Sequence, residues 1–153
     1  MAQTESLPVI VEGIDINAPI RAVFAALSEP DQIVQWWGSE GGYHTTEMVT
    51  DLRVGGAWKT SGLSADGEAN TVFGVYRVVD PPRCLEFTWR YRWADGDDAS
   101  HDTIVRYDLE ERNGVTRITV THTGFTSVDD RNDHEKGWKV VLGWLAAYVV
   151  QPA

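Results

Sequence analysis

The side chain in this sequence with the clearest capacity for proton transfer is the imidazole of His122. It follows Ile118 and Val120 in an alternating segment, so it shares the apolar face of the strand predicted there. A histidine in such a place is a candidate general base or a hydrogen-bond partner for a bound ligand. The same position also suits a core histidine whose ring nitrogens are satisfied by neighbouring groups. Tyr107, on the apolar face of another predicted strand, is the second candidate acid or base.

Motifs that would identify a known catalytic centre are missing from the sequence. The single cysteine, Cys84, begins a predicted strand without a flanking signature and is interpreted as a small buried hydrophobe. No GxSxG, HExxH or phosphate-loop motif occurs. The acidic run DDRNDHE around His134 lacks the spacing of a calcium loop. We therefore assign no catalytic residue, no metal site and no cofactor from the sequence.

Seven tryptophans in 153 residues are the most unusual feature of the composition. An indole ring needs apolar contacts and a partner for its N–H, so tryptophans gather in cores and at binding surfaces. Trp36 and Trp37 are adjacent in a predicted helix, where neighbouring side chains point about 100° apart. We expect one ring to pack into the core and the other to reach the mouth of a cavity. Nearby glycine pairs, at 41–42 and 55–56, turn the chain and leave room there.

The charge balance excludes several classes of partner. With 13 basic and 23 acidic residues the net charge is −10, whereas nucleic acids and anionic membranes require clustered positive charge. One cysteine allows no internal disulfide and fits a reducing cytoplasm. Residues 1–10 lack the pattern of a secretion signal, and no apolar run is long enough to span a bilayer. We expect a cytoplasmic protein without nucleic-acid binding or membrane insertion, and the sequence leaves homodimer formation open.

The elements that would position these side chains follow from hydrophobic periodicity. An alternating strand over residues 9–17 precedes two short helices that begin near Pro19 and at Pro30. Six strand segments follow, and Pro81-Pro82 and Asn113-Gly114 separate two pairs of them. Each segment that alternates clearly is apolar on one side and polar on the other. That pattern is typical of an antiparallel sheet with one face in water.

A long amphipathic helix ends the pattern. Ser127 is its predicted N-cap, and its apolar stripe consists of Trp138, Val141, Leu142, Leu145 and Val149. A straight helix laid across a twisted sheet touches it in the middle and leaves space toward one end. The sequence therefore predicts an α+β protein with a cavity between the helix and the sheet.

Six segments in a fixed order carry a resemblance to a known family. They are INAPIRAVFAAL at 16–27, WWG at 36–38, DLRVGGAW at 51–58, VVDPPRCLEFTW at 78–89, VTHTGF at 120–125 and GWKVVLGWLAAYV at 137–149. The chain resembles the START-like superfamily, also called SRPBCC or birch-pollen-allergen-like, and within it the family named for the activator of heat-shock protein 90 ATPase homologue. The resemblance implies the helix-grip fold, in which a curved antiparallel β-sheet wraps around a long C-terminal α-helix and two short helices follow the first strand. It also implies one such domain over residues 1–153.

The resemblance implies a binding function as well. Members of the superfamily bind sterols, lipids, hormones or polyketide-like rings between sheet and helix, and some cyclise or hydrolyse them. We expect a small apolar or aromatic ligand, and the residues predicted to bind it are Trp37, Trp58, Phe73, Phe87, Trp89, Tyr107, His122, Trp138, Leu142 and Leu145.

Two alternatives from other functional classes remain open. The first is a cyclase, dehydratase or hydrolase that uses His122 or Tyr107, in which polar groups should converge inside the cavity. The second is a protein-interaction module that contacts a chaperone, as the family name implies. Such a module should expose an apolar patch outside the cavity.

Overall fold

Seven strands form a single antiparallel sheet in the computed structural model, which describes residues 9–39, 41–93 and 102–150. The strands are β1 (Ile10–Ile16), β2 (His44–Thr50), β3 (Ala57–Leu63), β4 (Ala69–Asp80), β5 (Cys84–Trp93), β6 (Thr103–Arg112) and β7 (Val115–Thr123). The helices are α1 (Ile20–Ser28), α2 (Pro30–Trp36) and α3 (Val128–Val149). The strands lie in the order β1-β7-β6-β5-β4-β3-β2. The predicted α+β fold, with two short helices after the first strand and one long helix at the end, is confirmed.

The inner face of the sheet carries the apolar positions of the alternating segments. In β6 the buried residues are Thr103, Val105, Tyr107 and Leu109, and in β7 they are Thr116, Ile118, Val120 and His122. The outer face is charged, and there Arg106 of β6 pairs with Glu86 of β5 at 3.3 Å. This division between an apolar and a charged face is what the alternation predicts.

The hairpin between β6 and β7 is determined by two residues. Asn113 and Gly114 have φ angles of +53° and +78°, and Arg112 pairs with Val115 on either side of them. A two-residue turn of this kind needs left-handed backbone at both positions, which asparagine and glycine adopt at low cost. The turn fixes the register that puts Val105 opposite His122 on the inner face.

The two short helices carry the chain from one edge of the sheet to the other. β1 pairs with β7 at one edge, whereas β2 pairs with β3 at the opposite edge. Between them, Pro30 begins α2, where its missing N–H is not needed. The indole N–H of Trp36 donates to the carbonyl oxygen of Ala26 at 2.8 Å and holds α2 against α1.

Helix α3 covers the inner face only in part. The Ser127 hydroxyl accepts from the backbone N–H of Asp130 at 3.2 Å, and this bond caps the first turn. The buried side chains of the helix are Trp138, Val141, Leu142 and Leu145. Its principal neighbours among the described elements are β1, α1 and α2. The helix therefore lies toward the β1 edge, and the inner face of the strands near β2 remains less covered.

We expect Leu145→Ala to lower the free energy of unfolding by about 2–5 kcal/mol, because Leu145 is fully buried and its removal leaves a hole in the packing. Val140→Ala, on the same helix but 51% exposed, is the control, and its effect should stay within about 0.5 kcal/mol. Urea unfolding followed by far-ultraviolet circular dichroism measures both. Equal small losses at the two positions would show that α3 does not pack through Leu145.

Candidate ligand cavity

A cavity of about 470 Å³ lies between α2, α3 and the inner face of the sheet. Its lining comes from the loop and helices before β2, from strands β2 to β6 and from α3. The lining residues are Leu27, Ile33, Trp36, Trp37, Tyr43, Met48, Trp58, Thr60, Asn70, Val72, Tyr76, Leu85, Phe87, Trp89, Tyr107, Lys136, Gly137, Val140, Val141 and Trp144. Five of the seven tryptophans of the chain are among them.

Half of the residues predicted to bind a ligand lie in this lining. They are Trp37, Trp58, Phe87, Trp89 and Tyr107. Their rings form a continuous aromatic wall: the ring centroids of Trp58 and Phe87 are 5.3 Å apart, and those of Trp58 and Trp89 are 5.8 Å apart. Contacts at these distances are favourable for aromatic pairs.

Phe73, predicted to bind a ligand, does not line the cavity. The structure puts Val72 and Tyr76 in the lining, so Phe73 points to the outer face, where its ring lies 5.4 Å from the guanidinium carbon of Arg92. Side chains alternate along a strand, and Phe73 therefore shares a face with the exposed Val75 and Arg77. The charge of Arg77 is the sequence signal that could have assigned Phe73 to the outer face.

The residues predicted on α3 are in the core and not in the lining. Trp138, Leu142 and Leu145 are buried against the sheet and α1, and none of them contacts the cavity. The part of the lining that α3 contributes consists of Lys136, Gly137, Val140, Val141 and Trp144, so Val141 is the one residue of the predicted stripe that reaches the cavity. The sequence predicts a cavity beneath the apolar stripe of α3. In the structure the cavity lies beside most of this stripe, because the side chains of the stripe pack against the sheet.

The adjacent tryptophans at the end of α2 both line the cavity. Trp36 is buried and Trp37 is half-buried, and their ring centroids are 5.3 Å apart. Trp37 extends toward α3, where its ring centroid lies 5.9 Å from that of Trp138. The pair thus connects α2 to the helix on the other side of the cavity.

Polar groups in the lining are few, and most of them bond to each other or to backbone. The Tyr43 hydroxyl donates to Asn70 Oδ1 at 3.0 Å, and the Thr60 hydroxyl donates to the carbonyl oxygen of Glu47 at 3.1 Å. The Tyr76 hydroxyl bonds to the Thr50 hydroxyl at 2.6 Å. The lining contributes no carboxylate, imidazole or thiol from the described residues.

Tyr107 is the exception among the lining hydroxyls. It is 3% exposed, and its hydroxyl has no hydrogen-bond partner among the described residues. Burial, together with the nearby Tyr76, raises the pKa of this phenol. The hydroxyl therefore stays protonated at neutral pH and can donate to a group inside the cavity.

Two indole N–H groups of the aromatic wall are also unpartnered. Nε1 of Trp58 and Nε1 of Trp89 are buried and have no acceptor in the described part of the chain. A buried donor without a partner costs about 1–3 kcal/mol. Packing alone does not require this cost, so these residues mark a place where the sequence is not optimised for stability.

His122 lies behind the wall and not in it. Trp138 Nε1 donates to His122 Nδ1 at 3.0 Å, so the imidazole hydrogen is on Nε2, which donates to the Thr103 hydroxyl at 2.7 Å. The Thr103 hydroxyl in turn donates to the carbonyl oxygen of Trp89 at 3.1 Å. The inward orientation predicted for His122 is correct, but both of its ring nitrogens are occupied and it is not part of the lining.

The surroundings of His122 keep it neutral. Burial, and to a smaller degree the nearby His134, lowers the pKa of His122 to about 2. The ring centroid of Phe125 lies 4.5 Å away and completes the apolar enclosure. An imidazole that is neutral and fully bonded acts as a structural bridge between α3 and the sheet.

Residues 17–150 match the family described as Activator of Hsp90 ATPase homolog 1-like protein. The chain belongs to this family. The resemblance found in its sequence motifs is thereby confirmed, and the match spans the elements from α1 to α3. No curated protein matches the sequence.

Solved structures of similar proteins share the fold. Protein CV1439 from Chromobacterium violaceum has a TM-score of 0.80 and 25% identity, over 94% of this chain and 99% of that one. The AHSA1 (SPO3351) protein from Silicibacter pomeroyi has a TM-score of 0.79 and 26% identity, over 92% and 96% of the two chains. A protein from Arthrobacter aurescens has a TM-score of 0.80 and 21% identity, over 95% and 87%.

Two further classes of site have no support in the described residues. Within residues 9–39, 41–93 and 102–150, every helix is too short or too polar to span a bilayer. Histidine, cysteine and carboxylate side chains in the same part of the chain do not assemble into a group of three or more that would hold a metal ion.

We expect the stability of the fold to depend on pH through His122. The unfolded chain binds a proton on this imidazole near pH 6.5 and the folded chain only near pH 2, so stability is fully present above pH 6.5 and falls as the pH drops toward 2. The loss is about 1.4 kcal/mol per pH unit in that window. His122→Asn keeps an acceptor for Trp138 and cannot titrate.

The difference in unfolding free energy between wild type and His122→Asn should therefore shrink by about 2–3 kcal/mol between pH 7 and pH 4.5. Urea unfolding at a series of pH values measures it. Val120→Ala, a neutral change in the same strand at a fully buried position, is the control and should give a pH-independent difference. Parallel curves for wild type and His122→Asn would contradict the neutral, enclosed imidazole.

Proposed function

We propose that this chain is a cytoplasmic binding protein for a small apolar or aromatic molecule, held in the cavity between α2, α3 and the sheet. The observation that carries the proposal is the cavity of about 470 Å³ with five tryptophans in its lining. Sites for small molecules in proteins commonly have volumes of about 300–1,000 Å³ and apolar walls with few polar groups. The cavity has this size and this composition.

The chemistry of the walls favours a flat or ring-shaped ligand. Trp37, Trp58 and Trp89 offer indole faces, and Phe87 and Tyr107 extend the same surface along β5 and β6. Aromatic rings pack favourably against other rings at centroid separations of about 4.5–7 Å. A ligand ring between these aromatic side chains would displace water, with which the side chains interact only weakly.

The unpaired groups of the wall support a role beyond stability. Trp58 and Trp89 keep buried indole N–H groups without acceptors, and Tyr107 has a free hydroxyl. Natural sequences depart from full polar satisfaction mainly where function requires it. In this proposal the unpaired polar groups lie beside the cavity because the aromatic surface is selected for binding the ligand and not for stability.

An enzymatic role through His122 or Tyr107 has less support. His122 donates and accepts hydrogen bonds within the core, and its pKa of about 2 removes it from acid–base work at neutral pH. The pKa of Tyr107 is raised, so this phenol can donate a hydrogen bond but is a poor base. General acid and base pairs most often use an imidazole or a carboxylate, and the described lining has neither.

A protein-interaction role, including contact with a chaperone, also has less support than ligand binding. The large apolar side chains that are exposed in the described residues are valines and Leu52, and no aromatic ring is among them. Binding energy at protein interfaces is concentrated in aromatic and arginine side chains. In this chain the aromatic rings are concentrated around the cavity instead.

Binding of the neutral fluorophore N-phenyl-1-naphthylamine tests the proposal. The wild-type protein should enhance its fluorescence in a saturable manner, because the probe leaves water for an apolar cavity. Val72→Phe replaces a small side chain of the lining by a phenyl ring that occupies part of the cavity. It should weaken binding about tenfold or more, because the filled cavity excludes the probe. Val75→Phe, on the opposite face of β4, is the matched control and should bind as wild type does.

Failure of the wild type to bind this probe, or equal binding by the two variants, would overturn the cavity as the site. Native mass spectrometry of the purified protein supplies the complementary measurement. A co-purified small molecule that is retained by Val75→Phe and absent from Val72→Phe would identify the natural ligand.

Gly137 allows a separate test of access to the cavity. It lies in the lining, and a Cβ atom there would meet no neighbouring group, so packing does not require a glycine. Gly143 is equally unhindered and lies outside the lining. Leucine at either position should stabilise the helix by about 0.5–1 kcal/mol, because glycine is unfavourable in helix interiors.

Only Gly137→Leu should slow the association of N-phenyl-1-naphthylamine, since its side chain projects at the opening beside Lys136 and Val140. Stopped-flow fluorescence compares the two variants. Association that is unchanged in Gly137→Leu, or slowed equally in Gly143→Leu, would mean that the ligand enters elsewhere.

A further inference from the structure

One charged side chain lies in the lining of the cavity among the described residues, and it is a cation. Lys136 is exposed, next to Gly137 and one helical turn before Val140. The remaining lining side chains are apolar, aromatic or neutral polar. Because Lys136 is exposed and also contributes to the lining, it lies at the mouth of the cavity, within reach of both water and the aromatic interior.

Lys136 forms no ion pair with the described residues, although the chain has ten more acidic than basic groups. Its neighbours on α3 behave differently: Arg131 pairs with Glu135 at 2.9 Å, and Lys139 pairs with Glu12 of β1 at 3.8 Å. On α3, Lys136 is thus the cation without an ion pair among the described residues, and it lines the cavity.

The other free polar groups of the cavity are also donors. Asn70 uses its side-chain oxygen to accept from Tyr43, so its amide N–H groups are left without a partner among the described residues. The Tyr107 hydroxyl is free as well. A cavity with available donors, a cation and no carboxylate complements a ligand that carries negative charge and hydrogen-bond acceptors.

We propose that the ligand is an amphipathic acid, whose apolar or aromatic body lies in the cavity and whose anionic oxygen group binds Lys136 at the mouth. This inference rests on the proposed function, because it assigns the polar end of a ligand in the same cavity. Since the ammonium group stays in contact with water, it does not pay the full desolvation cost of a buried charge. The net negative charge of the protein repels free anions, so an acid binds only where its apolar body also fits.

Two probes with a common body separate the contributions of the cavity and of Lys136. N-phenyl-1-naphthylamine is neutral, and 1-anilinonaphthalene-8-sulfonate is the same molecule with a sulfonate added. Lys136→Met keeps the length of the side chain and removes its charge. It should weaken binding of the sulfonate probe about three- to fivefold, the upper part of the range expected for a charge pair near the surface, and leave the neutral probe within about twofold.

Lys139→Met is the matched control, because Lys139 is on the same helix, has the same charge and lies outside the lining. It should leave the affinity of both probes unchanged. Lys136→Arg should retain binding of the sulfonate probe. Raising the ionic strength should weaken sulfonate binding in the wild type and much less in Lys136→Met.

The outcomes distinguish this inference from the function on which it rests. If the wild type binds neither probe, both proposals are wrong. If the neutral probe binds and Lys136→Met does not weaken the sulfonate probe, the cavity is a binding site and the acidic ligand is wrong. Equal weakening by Lys136→Met and Lys139→Met would also overturn the acidic ligand, because the effect would then come from net charge alone.

Discussion

The hydrogen bond from the Trp138 indole to the His122 imidazole is the contact on which the arrangement of helix and sheet depends. It joins α3 to β7, and the Thr103 hydroxyl continues the chain of bonds to the backbone of β5. Leaving the buried imidazole of His122 or the N–H of Trp138 without its partner would cost about 1–3 kcal/mol, so these hydrogen bonds favour one position of the helix. The position is toward the β1 edge of the sheet, and the uncovered part of the inner face becomes the cavity.

The position of α3, and with it the shape of the cavity, depends on contacts that have a direction. A helix held by apolar contacts could slide along the sheet, because such contacts have no fixed direction. The bonds of His122 have direction, and they hold Trp89 and Trp138 with ring centroids 5.7 Å apart. If the cavity binds a ligand as proposed, rings that are already held in place lower the entropic cost of binding.

The fold was predictable because its signals are local and repeated. Alternation in β6 and β7, the Asn113-Gly114 turn and the Ser127 cap each determine a local structure, and together with the family motifs they leave one architecture. The lining residues were predictable only where apolar and polar residues alternate clearly along a strand, as in β5. In β4 the size and apolarity of Phe73 suggest that it faces the cavity. The charged Arg77, which lies on the same side of the strand as Phe73 and Val75, indicates instead that this side faces water.

The remaining lining residues depend on how α3 rotates against the sheet, which no local pattern encodes. Lys136 and Val140 look like solvent-exposed positions of an amphipathic helix, and their place in the cavity lining follows only from the gap beside the helix. His122 illustrates the same limit. Its face could be assigned from the alternation, whereas its partners come from β6 and α3 and required the structure.

The order of the strands has a consequence for folding during synthesis on the ribosome. β1 pairs with β7, so Ile10 cannot pair with His122 until the ribosome has added more than a hundred further residues. Closing so long a loop is entropically expensive and tends to make folding slow. Until β7 emerges, the first strand of the nascent chain has no neighbour, and until α3 follows, the tryptophans of the inner face are open to water and to other chains. The aromatic surface that lines the cavity is thus also the surface that is covered last during synthesis.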